Sequence, residues 1–243
     1  MQSADRALAI LAAFNEGRPD VGVTELASEL GMHKSTVSRL LATLQGRGLV
    51  RRDGDRFAPG PELVRLGGLA IRGLALVDLA REPLQRLAEE TGETVNLALR
   101  QGDQALNVHQ VQATHFIGVT DWTGRALPLH ATANGKVLLA FGDKALPEEL
   151  AALTAKTITD PASLRADLER ARRRGYAVAL EELELGLHAI AAPVFYPTGA
   201  CAAAVSVSGP AYRLSKRRLD LVAGLCIATG NEISVCLGPR RAA

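Results

Sequence analysis

The sequence is poor in the residues that build redox and metal centres. Its three cysteines, Cys201, Cys226 and Cys236, lie in apolar stretches near the C-terminus, with neither a C-x-x-C pair nor interleaved histidines. That pattern argues against a disulfide framework and a structural zinc site, and it suits buried thiols in a reducing cytoplasm. His109, His115, His130 and His188 are scattered without an H-x-x-x-H pair, so no metal and no cofactor is expected. A basic-then-apolar leader and an unbroken run of about 18 apolar residues are also missing, so neither export nor a membrane span is expected. Internal repeats and low-complexity tracts are lacking as well. What is there is ordinary globular material, 47% hydrophobic and 22% charged. At 243 residues two domains are the natural division.

The N-terminal 60 residues read as helix, helix, turn, helix and hairpin. Ala7, Ile10, Leu11 and Phe14 recur at helical spacing, with Ser3 available as a cap. Val23, Leu26, Ala27 and Leu30 repeat that spacing and stop at Gly31, a residue suited to the left-handed turn that ends helices. Val37, Leu40, Leu41 and Leu44 form a third stripe, and the three stripes can close on one another. The stretch "GLVRRDGDRFAPG" then predicts a two-stranded wing turning at Asp53-Gly54.

The face opposite the third stripe carries Ser35, Ser38, Arg39 and Ala42, which is small, polar and cationic with no glutamate. Such a face fits a major groove: small residues allow close approach, hydroxyls reach phosphates or bases, and an arginine can grip guanine O6 and N7. From Lys34 to Arg56 there are six cations and two acids, a local +4 against +2 for the whole chain. The positive charge is therefore concentrated here. Lys34, Ser35, Thr36, Ser38 and Arg39 are the expected DNA contacts of the helix. Arg52 and Arg56 are the expected anchors of the wing on the backbone.

Residues 61–92 predict one or two long helices, broken at Pro83, that connect to a second domain over 93–243. That domain alternates strands and helices in the α+β manner with a mainly antiparallel sheet, and it ends in a long helix over about 215–237. In "HATANGKVLLA" His130 and Val137 occupy positions that a phosphate loop requires to be Gly and Ser or Thr, so nucleotide binding is not expected. The better reading is a helix start whose N–H groups near Ala133, Asn134 and Gly135 cradle a polar or anionic small molecule. In "AAAVSVSG" the period of two sends Ser206 and Ser208 to one face as candidate ligand partners. An alternative use of this domain is a small-molecule-binding or hydrolytic enzyme working through carboxylates such as Glu181, Glu182 and Glu184. That use would require two of them to converge in a cleft.

The stretches "DRALAIL", "VTELASELGMHKSTVSRLLATLQGRGLV", "LPLHATANGKVLLA", "RRRGYAVALEELELGLHAIAAPV" and "AAVSVSGPAYRLS" together resemble the IclR family of bacterial transcriptional regulators over nearly the whole chain. The resemblance implies a winged helix-turn-helix over 1–60, a helical linker over 61–92 and a GAF/profilin-like effector-binding domain over 93–243. It also implies double-stranded operator DNA and a small-molecule effector as partners, a cytoplasmic location, repression as the commoner mode, and dimers that pair into tetramers. Ala133, Asn134, Ser206 and Ser208 match positions lining the family's effector pocket. Ala179 and Ala189 stand where relatives that bind small oxoacids have an acidic residue and a cysteine, which implies a roomier, less polar pocket for an aromatic or otherwise larger effector.

Overall fold

The computed structural model describes residues 2–15, 17–72, 75–112, 121–143 and 145–238. Its contacts divide the chain into two units, residues 1–73 and 74–243. In the first unit α1 (Gln2–Ala12), α2 (Val23–Glu29) and α3 (Lys34–Gly46) enclose a core of Ile10, Leu26, Val37, Leu41 and Leu44. These are members of the three predicted stripes, brought together because each helix has one apolar side to bury. Leu40 is only partly buried at the core's edge. Ser3 is not a cap, since α1 already runs through it from Gln2.

Gly31 adopts φ +60° after α2, and the Met32 N–H bonds the Ala27 carbonyl at 2.9 Å. This left-handed residue makes the turn between α2 and α3. The wing consists of β2 (Val50–Asp53) and β3 (Arg56–Pro59), whose turn centres on Gly54-Asp55, one residue later than predicted. A third strand, β1 (Val21–Gly22), pairs with β3 through Val21 and Phe57. With two residues it carries no periodicity by which a sequence could reveal it.

Helix α4 (Pro61–Arg72) belongs to the first unit, whereas α5 (Ala75–Thr91) belongs to the second. The expected connector over 61–92 is therefore shared between the two units, and α5 packs on the sheet and on the last helix. Nor does Pro83 break the chain: it sits buried inside α5. A proline inside a helix costs about 3 kcal/mol through its missing N–H and its ring. Burial of Leu76, Val77, Ala80, Leu84 and Leu87 on the same face offsets that cost.

The second unit is a six-stranded antiparallel sheet in the order β6-β5-β4-β9-β8-β7, made of β4 (Thr94–Gln101), β5 (Gln104–Val111), β6 (Ala126–Pro128), β7 (Ala177–Leu180), β8 (Leu187–Phe195) and β9 (Cys201–Pro210). The strand pattern expected over 116–130 survives as β6, and its first part, with His115 just before it, lies outside the described residues. Helices α6 (Ala133–Ala140) and α7 (Pro161–Arg174) join a core of small sheet residues that includes Ala98, Ala204, Ala191 and Ala177. Helix α8 (Lys216–Cys236) packs with α5 and on β8 and β9, so closely that a Cβ at Gly230 would clash with the Pro193 carbonyl. By length and mean hydropathy, 1.4 over its most apolar stretch, α8 could cross a membrane, although charged and polar residues interrupt it. Here its buried side, from Leu219 to Ile233, forms part of the unit's interior. Of the cysteines only Cys226 is buried. Cys201 is half-buried and Cys236, the last residue of α8, is exposed.

Candidate functional site

In the first unit α3 offers its polar face outward. Lys34, Ser35, Ser38, Arg39 and Ala42 are exposed and Thr36 is half-buried. The helix begins with a cap that was not foreseen: His33 Nδ1 accepts from the Ser35 N–H at 3.3 Å and lies 2.7 Å from Ser35 Oγ. Among the described residues the guanidinium of Arg39 and the ammonium of Lys34 have no carboxylate partner. They are cations held on a rigid helix without an internal use.

The hairpin arginines are different. Arg51 and Arg52 remain more than half exposed, Arg51 beside Asp53 at 3.3 Å and Arg52 beside the Gly54 carbonyl at 2.8 Å and Asp55 at 3.8 Å. Arg56, however, is clamped by Asp20 and by Glu25, the latter at 2.7 and 3.0 Å. Hydrogen bonding from Arg56 holds the Glu25 carboxyl down at about 2. Arg56, expected as a phosphate anchor, also ties the wing to the start of α2. Asp20 and Glu25 stand 36 and 31 residues before it in the chain, so sequence spacing could not show the pairing.

In the second unit the sheet register assembles a cavity. Asn96 lies opposite Ser206, which lies opposite Ala191, while Ser208 pairs with Ala189 and Ala189 with Ala179. Because strand side chains alternate, these residues share the face that α6 covers. The cavity encloses about 450 Å³, part of it open to solvent, and its wall includes Ala133, Asn134, Ala179, Ala189, Ser206 and Ser208. Six of the seven residues expected there are in the wall. Gly135 is not: its N–H is taken by the capping Thr132 Oγ1 at 3.1 Å, and a Cβ there would clash with the Leu129 backbone. The glycine lets α6 lie close to the preceding turn. Helix geometry then leaves the first-turn N–H groups of Ala133 and Asn134 without an intrahelical acceptor.

Sequence reasoning missed Asn96, Asn107, Trp122, Leu127, Leu183 and Leu187, which complete much of the lining. Asn96 and Asn107 each interrupt an otherwise apolar run, "VNL" and "LNV", and amides are uncommon in strand interiors. That was the available signal. The pocket is accordingly less apolar than the two alanines alone implied.

Among the described residues Lys136 is the largest whose side chain is fully buried. Its Nζ lies 2.7 Å from both Asp167 and Glu182 and donates to the Val178 carbonyl at 3.2 Å. Burial pushes the Glu182 carboxyl above its ordinary range despite Lys136. For Asp167, burial is outweighed by Lys136 and Arg170, and the group lies below its ordinary range. Glu182, one of the three glutamates the hydrolase alternative named, is therefore committed to a buried cation, and neither Glu181 nor Glu184 is among the described residues of the cavity wall. Glu181, with φ +60°, opens the turn that carries Leu183 into the cavity wall. Thr154 and Thr157 hold this strained turn by donating to the Glu181 and Glu182 carbonyls at 2.7 Å.

Two family descriptions match the chain. The IclR helix-turn-helix domain matches residues 3–54, and the bacterial transcriptional regulator IclR C-terminal domain matches residues 69–235. The regulator BhcR of Paracoccus denitrificans is 40% identical over 99% of this chain and 89% of its own length. The transcriptional repressor IclR of Escherichia coli is 35% identical over 99% and 92%. The crystal structure of Thermotoga maritima IclR, 32% identical, superposes with a TM-score of 0.71 and covers 98% of this chain and all of that one. The relatives are regulators and not enzymes. With its helix-turn-helix first unit and its α+β second unit, the chain belongs to the IclR family of bacterial transcriptional regulators.

Proposed function

We propose that the protein is a cytoplasmic repressor whose hold on a partly palindromic operator is set by a small molecule in the second-unit cavity. In this reading α3 enters the major groove, where Arg39 reads a base and Lys34, Ser35, Thr36 and Ser38 contact phosphates or base edges. Arg51 and Arg52 bring the wing to the flanking backbone. Two copies act together, and the exposed Leu8 (63%) and Val64 (78%) of the first unit are apolar surface that self-association would cover. Pairing into tetramers belongs to the same proposal.

The observation that carries the reading is the cationic face of α3, where Lys34 and Arg39 are exposed and have no carboxylate partner among the described residues. For the cavity, the support is the open first turn of α6 facing Ser206 and Ser208. An effector alters operator affinity only to the extent that it binds two arrangements of the dimer with different affinity. With alanine at 179 and 189 the occupant is larger than glyoxylate, an aromatic or comparably sized acid. Selection of genomic fragments by the purified protein, repeated with aromatic acids and with glyoxylate and pyruvate, tests the whole reading. Fragments enriched without ligand and released by the larger acids support it. Failure to enrich any fragment refutes the operator claim, and release by glyoxylate or pyruvate alone refutes the effector claim.

A further inference from the structure

Away from the cavity at the start of α6, the second unit holds a cation that lacks a close counter-charge. Arg100 stands two residues beyond Ala98 on β4, on the face of the sheet that α6 covers. Its side chain is only 12% exposed. Its close partners are nevertheless two carbonyls, with Nε donating to Gly102 at 3.0 Å and Nη2 to Ala145 at 2.8 Å. Nη1 is buried with no partner. Among the described residues the only carboxylate within 4 Å is that of Asp103, at 3.8 Å and itself 69% exposed. Carbonyls supply dipoles and not a charge, and a buried guanidinium is costly unless it is paired.

Arg100 borders a groove of about 690 Å³, part of it open to solvent, that shares no lining residue with the first cavity. The groove lies at the other end of α6. Leu138 and Gly142, from the end of that helix and the turn after it, form one side, and Tyr196 and Cys201, from the hairpin of β8 and β9, form another. Asp143, exposed and without an ion pair among the described residues, lines the same groove. One cation and one anion thus stand in a wall that is otherwise mainly apolar. A bare anion offered to Arg100 also meets the charge of Asp143, and a bare amine leaves the buried guanidinium unpaired. A molecule that carries both charges satisfies both groups.

We infer that this groove is a second small-molecule site, and that it takes an α-amino acid with an apolar side chain. The carboxylate lies on Arg100, the ammonium on Asp143, and the side chain along Leu138 and Tyr196. Calorimetric titration of the full chain compares L-leucine with 4-methylpentanoate, which lacks the ammonium, and with 3-methylbutylamine, which lacks the carboxylate. L-phenylalanine, 3-phenylpropanoate and 2-phenylethylamine form a second series. In at least one series the amino acid binds at millimolar concentration or below, about tenfold or more tighter than either partial analogue.

Cys201 reports the location, because its thiol borders the groove. The bound amino acid slows alkylation of Cys201, read by peptide mass mapping, and leaves the rate at the exposed Cys236 unchanged. Arg100→Gln and Asp143→Asn each weaken amino-acid binding, and since Asp143 is exposed the second variant serves even if the first folds poorly. Binding of neither amino acid at millimolar concentration overturns the inference. So does equal binding of the deaminated acid in both series, which makes the groove a plain anion site. Amino-acid binding that leaves the Cys201 rate unchanged overturns it too, because the ligand then sits elsewhere.

Discussion

Lys136→Met should make a core carboxylate that burial already raises more strongly proton-dependent. The lysine is 1% exposed and touches two carboxylates at 2.7 Å. Without it Asp167 keeps Arg170 at 3.0 Å. Glu182 keeps only a 3.4 Å bond from the Leu180 N–H, and its Oε2 already lacks a partner. Removing one member of a buried charge cluster costs about 3–5 kcal/mol. The variant can limit that cost by protonating Glu182, at about 1.36 kcal/mol for each pH unit above the ordinary value. From 4.5 this gives about 3.4 kcal/mol at pH 7 and about 0.7 kcal/mol at pH 5. The folded variant binds a proton that the unfolded chain does not, so its stability relative to the parent rises as pH falls. Urea unfolding followed by Trp122, which lies in the second unit, measures this at both pH values. Adding Glu182→Gln to the variant should remove most of the pH dependence. A cost below about 1 kcal/mol at pH 7, or one equal at both pH values, refutes the reasoning.

The first unit should respond to acid in the opposite sense. Glu25, held down at about 2 by Arg56, contributes stability above its ordinary 4.5 that is lost as pH falls toward 2. Glu25→Gln should flatten the acid-induced loss of helicity in that window, as read by circular dichroism. Arg52→Ala should lower the salt slope of DNA binding by about one, whereas Arg56→Ala should show mainly as a lower melting temperature. In thiol titration, burial raises Cys226 to about 12 and Cys201 to about 11. Cys236, the exposed one, should therefore be the thiol that reacts rapidly in the native protein, with all three reacting in denaturant.

The parts of this molecule legible from sequence are those governed by local periodicity. The stripes of α1 to α3 and the Gly31 turn follow from spacing, and so do the outward face of Arg39 and the shared face of Ser206 and Ser208. What was missed depends on partners distant in the chain. The tie of Arg56 to Asp20 and Glu25 and the burial of Lys136 between Asp167 and Glu182 arise only when separate elements meet. Pro83 misled because a local rule was outweighed by packing of α5. Asn96 and Asn107 were visible as interruptions of apolar strands, but their convergence with Asn134 required the register of β4 and β5 and the placement of α6.

The most direct test of the account is fluorescence anisotropy of a selected operator fragment against Arg39→Ala. The account predicts a loss of about 1–3 kcal/mol on the operator, relaxed discrimination at one base pair, and little change on unrelated DNA. Undiminished operator affinity would contradict it, because the face of α3 that carries Arg39 would then not be the one that meets the DNA.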